Sequence, residues 1–286
     1  MNILFVGSSG ELSLVPFKSL LMSSHSISAV AVQNPIRFDN KIIALENESL
    51  ALAAKHSSIP VIDMSQAVDE IVKRCSDYAI DVILVSCYGK RIPDRIINLA
   101  TGGCFNMHPS LLPEFRGPEP IFWQMKKAVD IGVSWHKVDH HFDTGDIVAQ
   151  QRIVLDDGAS FAEISSQLAE NGALLMHQLL AEVDSGQLAM IPQDNENASY
   201  YPYPSAGDFE IDVNYSAQQL YNFMKGTQAF AQSYRYQSGN QLFSLDAALD
   251  FDTNLELDAT ELQGNRLYIP CNEGVLIVTY TDKIAI

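Results

Sequence analysis

Over roughly the first 190 residues, short and nearly continuous apolar runs alternate with segments of helical spacing, and this alternation restricts the fold more than any other feature of the sequence. Residues 2–6, 27–32, 61–64 and 82–87 are rich in Val, Ile, Leu and Ala, whereas residues 12–22, 49–55 and 68–75 repeat their apolar positions at helical intervals. Strands that stay apolar throughout are buried on both faces, which a parallel sheet with helices on each side provides. The expected architecture is therefore α/β: a Rossmann-like, mostly parallel sheet. Gly7 and Gly10 follow the first run but do not complete G-x-G-x-x-G, so a tight strand-to-helix turn is the expectation there, not a nicotinamide site.

Residues 161–184 predict a long helix, with Ile164, Leu168, Leu174, Leu175, Leu179 and Leu180 on its core stripe and Gly186 as its stop. The polar, turn-rich stretch 195–207 (NENASYYPYPSAG) reads as a linker between a catalytic domain, residues 1–194, and a small β-rich domain, residues 208–286. In that last part a helix is expected over 217–225, with short strands such as 267–269 and 275–280. At 286 residues, 47% hydrophobic and 19% charged, the chain is long enough for one large domain and one small one.

Eighteen basic residues stand against 35 acidic ones, a net charge of -17. A protein that grips a nucleic acid neutralises phosphates with Lys and Arg, so this balance points to a small substrate. Cys75, Cys87, Cys104 and Cys271 have no C-x-x-C spacing, and Cys87 and Cys104 read as buried thiols in strand-like runs. No metal site is expected: the run His136-x-x-x-His140-His141 is a poor zinc proposal. The start of the chain lacks the pattern of a secretory leader, no stretch suffices to span a bilayer, and a cytoplasmic protein without membrane contact is the expectation.

The residues that suggest chemistry lie between 102 and 150. In Phe105-Asn106-Met107-His108-Pro109-Ser110-Leu111-Leu112-Pro113 a strand ends at two prolines, and Asn106 and His108, two apart, face the same way. Next, Glu114-Phe115-Arg116-Gly117-Pro118-Glu119-Pro120 leads into a helix, with Arg116 readable either as an anion site or as a solvated loop cation. Third, His141-Phe142-Asp143-Thr144-Gly145-Asp146 puts a carboxylate on a turn between two β-runs.

Together these motifs resemble the 10-formyltetrahydrofolate-dependent formyltransferase family, on the nucleotide-amino-sugar and methionyl-tRNA branches. The resemblance runs over roughly residues 1–190 and includes the spacing from His108 to Asp143. It implies a formyl-transferring enzyme with 10-formyltetrahydrofolate as donor. Asn106 would donate to the developing oxyanion; His108 would assist it when protonated or take the amine proton when neutral; Asp143 would orient His108. The same resemblance lays the folate along Tyr88, Gly89, Lys90 and Ile92 and along Lys137, Val138 and Asp139, and brings Ser110, Arg116, Gly117 and Trp123 to the acceptor. Phe122, Trp123 and Tyr88 are rings available to pack on a sugar or nucleotide, although aromatic residues at the start of a helix more often belong to the core.

Which amine receives the formyl group is a narrower question. Ile211-Asp212-Val213-Asn214 and the following Leu220-Tyr221-Asn222-Phe223 resemble the entry to the second domain of both branches. Against the tRNA enzymes stand the acidic tail, its shortness for a full OB-type barrel, a loop Gly226-Thr227-Gln228-Ala229-Phe230 without prolines, and Glu114 and Glu119 on either side of Arg116. The expected acceptor is thus a sugar nucleotide, with initiator tRNA as the alternative and a non-catalytic folate-binding scaffold as the third reading. A homodimer is the prior expectation for the assembly.

Overall fold

A computed structural model describes residues 1–33, 41–44 and 49–285. The first part contains β1 (Asn2–Gly7), α1 (Glu11–Leu21), β2 (Ser26–Val32), α2 (Leu50–His56), β3 (Val61–Asp63), α3 (Val68–Cys75), β4 (Val82–Ser86), α4 (Asp94–Ile97), β5 (Cys104–His108), α5 (Pro120–Lys127), β6 (Ile131–Lys137), β7 (Ile147–Ile153) and α6 (Phe161–Ser185). The seven strands form one sheet in the order β3-β2-β1-β4-β5-β6-β7. Pairings from β3 to β5 are parallel, and β5–β6 and β6–β7 are antiparallel. The reversal has a local cause: α5 returns the chain antiparallel after β5, and the short Asp143 turn joins β6 directly to β7.

Strand alternation divides the core in two. Ile3, Phe5, Val82, Leu84, Phe105 and Met107 face the side covered by α1 and α6, whereas Leu4, Val6, Ile83, Val85 and Cys104 face α3 and α4. Asn106 and His108, in phase with Cys104, consequently emerge on the α3/α4 side. That side is lightly covered at their level, because α4 is a single turn.

α6 starts in a capping box, with the Ser160 hydroxyl accepting from the Glu163 N–H and the Glu163 carboxylate accepting from the Ser160 N–H, and ends at Gly186 in the left-handed region, φ 69°. Leu174 departs from the expected core stripe. It is 62% exposed, because it lies a full helical step from Leu175, whose face is the one turned to the sheet. Cys87 also differs from its expectation: β4 stops at Ser86, a φ of 57° turns the chain, and the thiol is exposed, whereas Cys104 is buried and its thiol pushed up by burial.

The second sheet is antiparallel and follows α7 (Ala217–Thr227): β8 (Tyr234–Ser238), β9 (Gln241–Asp252), β10 (Glu261–Gln263), β11 (Arg266–Pro270) and β12 (Val275–Ala285), in the order β10-β11-β12-β9-β8. It shares one hydrophobic core with the first part. Phe122 of α5 is the junction, with ring centroids 5.0 Å from Phe209, 5.7 Å from Phe223 and 5.3 Å from Phe230. Fully buried among these rings, Phe122 belongs to the core and is not available to a ligand.

The segment 195–207 lies along the first part as an extra partner. Arg116 and Tyr200 form a parallel bridge, Arg116 N–H donates to Ser199 O (2.9 Å), Tyr201 N–H donates to Arg116 O (2.9 Å), and Tyr201 stacks between Phe115 and Trp123 at 5.3 and 4.9 Å.

Candidate active site

Beside the C-terminal ends of the parallel strands β4 and β5, where open α/β sheets receive ligands, Asn106 and His108 meet His136 of the antiparallel β6 and Asp143 of the turn after it. The β5–β6 register sets Asn106 opposite His136. The ring of His136 donates from Nδ1 to its neighbour's carbonyl, Lys137 O, at 2.9 Å, which leaves Nε2 to accept from Asn106 Nδ2 at 3.1 Å. The tautomer follows from these partners. One of the two Asn106 amide hydrogens is thereby used, and the amide is held at the cleft with the other.

His108 is buried, 4% exposed, and donates from Nε2 to Phe115 O at 2.8 Å; Nδ1 faces Asp143 Oδ1 at 3.5 Å. Burial lowers the imidazole's pKa, while the Asp143 carboxylate and the Phe115 carbonyl pull it up, and the net direction is down. Asp143, 8% exposed, is opposed by burial but held well below the ordinary carboxylate range by the charge that His108 and His136 (Nε2 at 3.7 Å) carry when protonated and, whatever their state, by the Gly117 N–H, which donates to Oδ2 at 3.0 Å. The arrangement is an ionised carboxylate beside a neutral imidazole.

Two glycines make this contact possible. A Cβ on Gly117 (φ 118°) would lie 2.1 Å from Tyr201 O, and one on Gly145 would lie 1.9 Å from Lys137 O. Gly117 can therefore bring its N–H to Asp143, and the Asp143–Gly145 turn can press against the end of β6.

The cleft above these groups is lined by Val85, Tyr88, Lys90, Arg91, Ile92, Asn106, His136, Val138, Asp139, His141, Phe142 and Asp143. Of the residues expected beside the folate, Tyr88, Lys90, Ile92, Val138 and Asp139 are in this wall. Gly89 instead faces the Tyr203 hydroxyl, and Lys137 contributes its backbone to β6 and the turn. The Asp139 carboxylate accepts from Thr144 Oγ1 at 2.8 Å and from the His141 N–H at 2.9 Å, so it shapes the turn.

The residues expected at the acceptor occupy internal positions. Ser110 is fully buried and donates to Glu114 O at 2.7 Å; Trp123 Nε1 donates to Pro202 O at 2.8 Å. Arg116 is buried and donates to Gln193 Oε1 and Asn195 Oδ1. Only Gly117 touches the reactive cluster, through its N–H. The sequence reading missed His136: its position two strand residues before Val138, directly across from Asn106, is a tertiary pairing that no local motif announces. Among the described residues no group of three or more His, Cys, Asp or Glu side chains could hold a metal ion, and no helix is long and apolar enough to cross a membrane.

A sequence model of the family described as Formyl transferase matches residues 1–183. The methionyl-tRNA formyltransferase of Lachnospira eligens is 28% identical over 288 residues, covering 97% of this chain and 90% of that protein. Among solved structures, the sugar 3N-formyl transferase WlaRD, determined in the presence of dTDP and 5-N-formyl-THF, has a TM-score of 0.70 at 16% identity, with 99% of both chains covered. The N-formyltransferase of Helicobacter canadensis, in complex with folinic acid and dTDP-3-aminofucose, has a TM-score of 0.68 at 16% identity, covering 97% of this chain and 98% of that one. At that identity the two structures share the fold.

Proposed function

We propose, from the premise that this chain belongs to the formyl transferase family, that it moves the formyl group of 10-formyltetrahydrofolate onto the primary amine of a nucleotide-linked amino sugar. It is a folate-dependent formyltransferase; the acceptor and the residue roles are our reading. The observation that carries the acceptor is charge: residues 208–286 hold four basic residues against eleven acidic ones, within a chain of net charge -17. A surface of that sign repels a polyanion the size of tRNA far more strongly than a ligand with two phosphates. One observation favours the second reading, initiator Met-tRNA: the 28% identity to a methionyl-tRNA formyltransferase extends over both parts of the chain.

In the proposed reaction the amine attacks the formyl carbon, and negative charge develops on the formyl oxygen. The second amide hydrogen of Asn106 meets that oxygen, its first being fixed on His136. Because His108 gives its Nε2 hydrogen to Phe115 O, Nδ1 is the nitrogen that takes the amine proton, and the imidazolium so formed lies 3.5 Å from the Asp143 carboxylate. Burial keeps the resting ring neutral and ready as a base; Asp143 stabilises the charge once the proton arrives. The folate nitrogen departs with the proton that the His108 imidazolium returns, which collapses the intermediate and leaves the ring neutral again. The apolar flank of Val85, Ile92 and Val138 with the rings of Tyr88 and Phe142 suits a planar pterin, and Lys90 and Arg91 at the rim suit the carboxylates of its glutamate.

The test is turnover of 10-formyltetrahydrofolate with dTDP-3-aminofucose and, in parallel, with initiator Met-tRNA. Formylation of the sugar nucleotide is the expected result; formylation of the tRNA alone overturns the acceptor assignment, and full activity in Asn106→Ala overturns the oxyanion role.

A further inference from the structure

The cluster that holds Asp143 in place extends beyond residues 1–183, into the segment that follows α6. Gln193 there spends every polar group of its amide on two loops of the site. Its two Nε2 hydrogens go to Asp143 O at 3.0 Å and Gly145 O at 2.7 Å. Its Oε1 accepts from Arg116 Nε at 3.1 Å and Nη2 at 2.7 Å, and Arg116 Nη2 also donates to Asn195 Oδ1 at 3.0 Å.

We propose that Gln193, clamped by Arg116, is a positioning residue for formyl transfer: it locks the turn that carries Asp143 onto the loop that carries the partners of His108. The proposal rests on the reading of Asp143 and His108 given above.

The two loops need such a lock. Asp143 sits at φ 58°, a conformation that L-residues keep only when their surroundings impose it, and both carbonyls that define its turn end on the one Gln193 amide. Arg116 stands between Phe115, whose carbonyl accepts from His108 Nε2, and Gly117, whose N–H donates to Asp143 Oδ2. A bond from Gln193 to Arg116 therefore ties the backbone on either side of Arg116 to the backbone on either side of Thr144. The 3.5 Å between His108 Nδ1 and Asp143 Oδ1 depends on both loops, one holding the His108 ring through Phe115 O and the other carrying Asp143. Neither Gln193 nor Arg116 touches the cleft, so each acts through the pair it holds. This also gives the buried guanidinium of Arg116 a purpose other than anion recognition.

Gln193→Met in the full chain removes the amide at nearly constant volume. The expected result is a fall in kcat of roughly 10- to 100-fold, the scale of a sub-ångström to ångström misplacement of a catalytic group, with donor KM and the affinity for 5-formyltetrahydrofolate changed less than about twofold. The pH titration of His108 by NMR needs no acceptor. His108 is faced by Asp143, His136, Arg116 and the Phe115 carbonyl, and only Asp143 and the carbonyl raise its pKa. Loosening the Asp143 turn therefore moves the titration to lower pH, in the same direction as Asp143→Asn and by less. Arg116→Met/Gln193→Met leaves no orphaned guanidinium and keeps the test open if the single variant fails to fold; its kcat is expected to fall as far. A folded Gln193→Met or double variant with kcat within twofold of the parent, or an unmoved His108 titration in Gln193→Met where Asp143→Asn moves it, overturns the relay. Full turnover in Asp143→Asn instead overturns the catalytic reading beneath it.

Discussion

The catalytic end of the first sheet and the antiparallel sheet of the C-terminal part are built on opposite principles. Around the catalytic end, Cys87, Phe115 and Asp143 all adopt positive φ without being glycine, and His108, Ser110, Arg116, Ser134, His136 and Asp143 are buried polar groups. Each such backbone costs on the order of 1–3 kcal/mol and persists because neighbours impose it. In the described residues after Ala231, positive φ occurs at Gly239, Gly264 and Gly274, and the buried side chains of β8–β12 are apolar or aromatic. The C-terminal sheet is held by alternation and could exchange surface residues freely, whereas the catalytic end is held by particular pairs and could exchange few. Backbone strain and buried polar side chains coincide at the candidate site.

The junction between the two regions is where the largest loss is expected. Phe122→Ala opens the aromatic cluster that joins them and should destabilise the whole protein by about 3–5 kcal/mol in denaturant titration. Separate transitions for the two regions in the parent protein would break the picture of one shared core.

At the catalytic end the effect should appear in rate and not in stability: Asn106→Ala is expected to lower kcat by about 10²- to 10³-fold while melting near the parent temperature.

Acid should distinguish the regions next. Burial depresses the pKa of His108 below 6.5, so the unfolded chain binds the proton more readily; the stability this contributes is whole above pH 6.5 and is lost as pH falls through the lower folded value. Asp143, depressed from 3.8, adds a loss of the same sign below that pH. Unfolding free energy measured against pH should decline below 6.5 and more steeply below 3.8, and Asp143→Asn should make the steeper part shallower, leaving the share of the other depressed carboxylates, Asp208 and Glu163.

Smaller still is the cap of α7, where the Ser216 hydroxyl accepts from the Gln219 N–H: Ser216→Ala should cost about 1 kcal/mol. Last, Glu256→Lys and Glu261→Lys on the exposed face of the acidic part should shift stability by no more than about 0.5 kcal/mol, and an increase in tRNA affinity alone would sharpen the role assigned to charge.

Much of this was legible in the chain. The apolar runs specify β1 to β4 because a strand buried on two faces has no other composition available, and the capping box and Gly186 specify the limits of α6 because they satisfy its terminal backbone groups. Asn106, His108 and Asp143 stood out by motif and spacing. Less legible were contacts between residues far apart in sequence. Leu174, next to the core stripe of α6 in sequence, is turned by its azimuth to solvent. Arg116 and Trp123 carry side chains suited to a ligand, yet the return of 193–202 across the loop covers them.

What the sequence determined by itself is the order of elements, the faces the strands bury and the chemistry available at the end of β5, since hydrophobic period and local hydrogen bonding act within a few residues. What the tertiary structure decided is which polar groups meet: His136 against Asn106, Asp143 against His108, and Gln193 across both loops. Those pairings are fixed by register, by two glycine contacts and by a segment 50 residues further along the chain, none of which leaves a mark on local sequence.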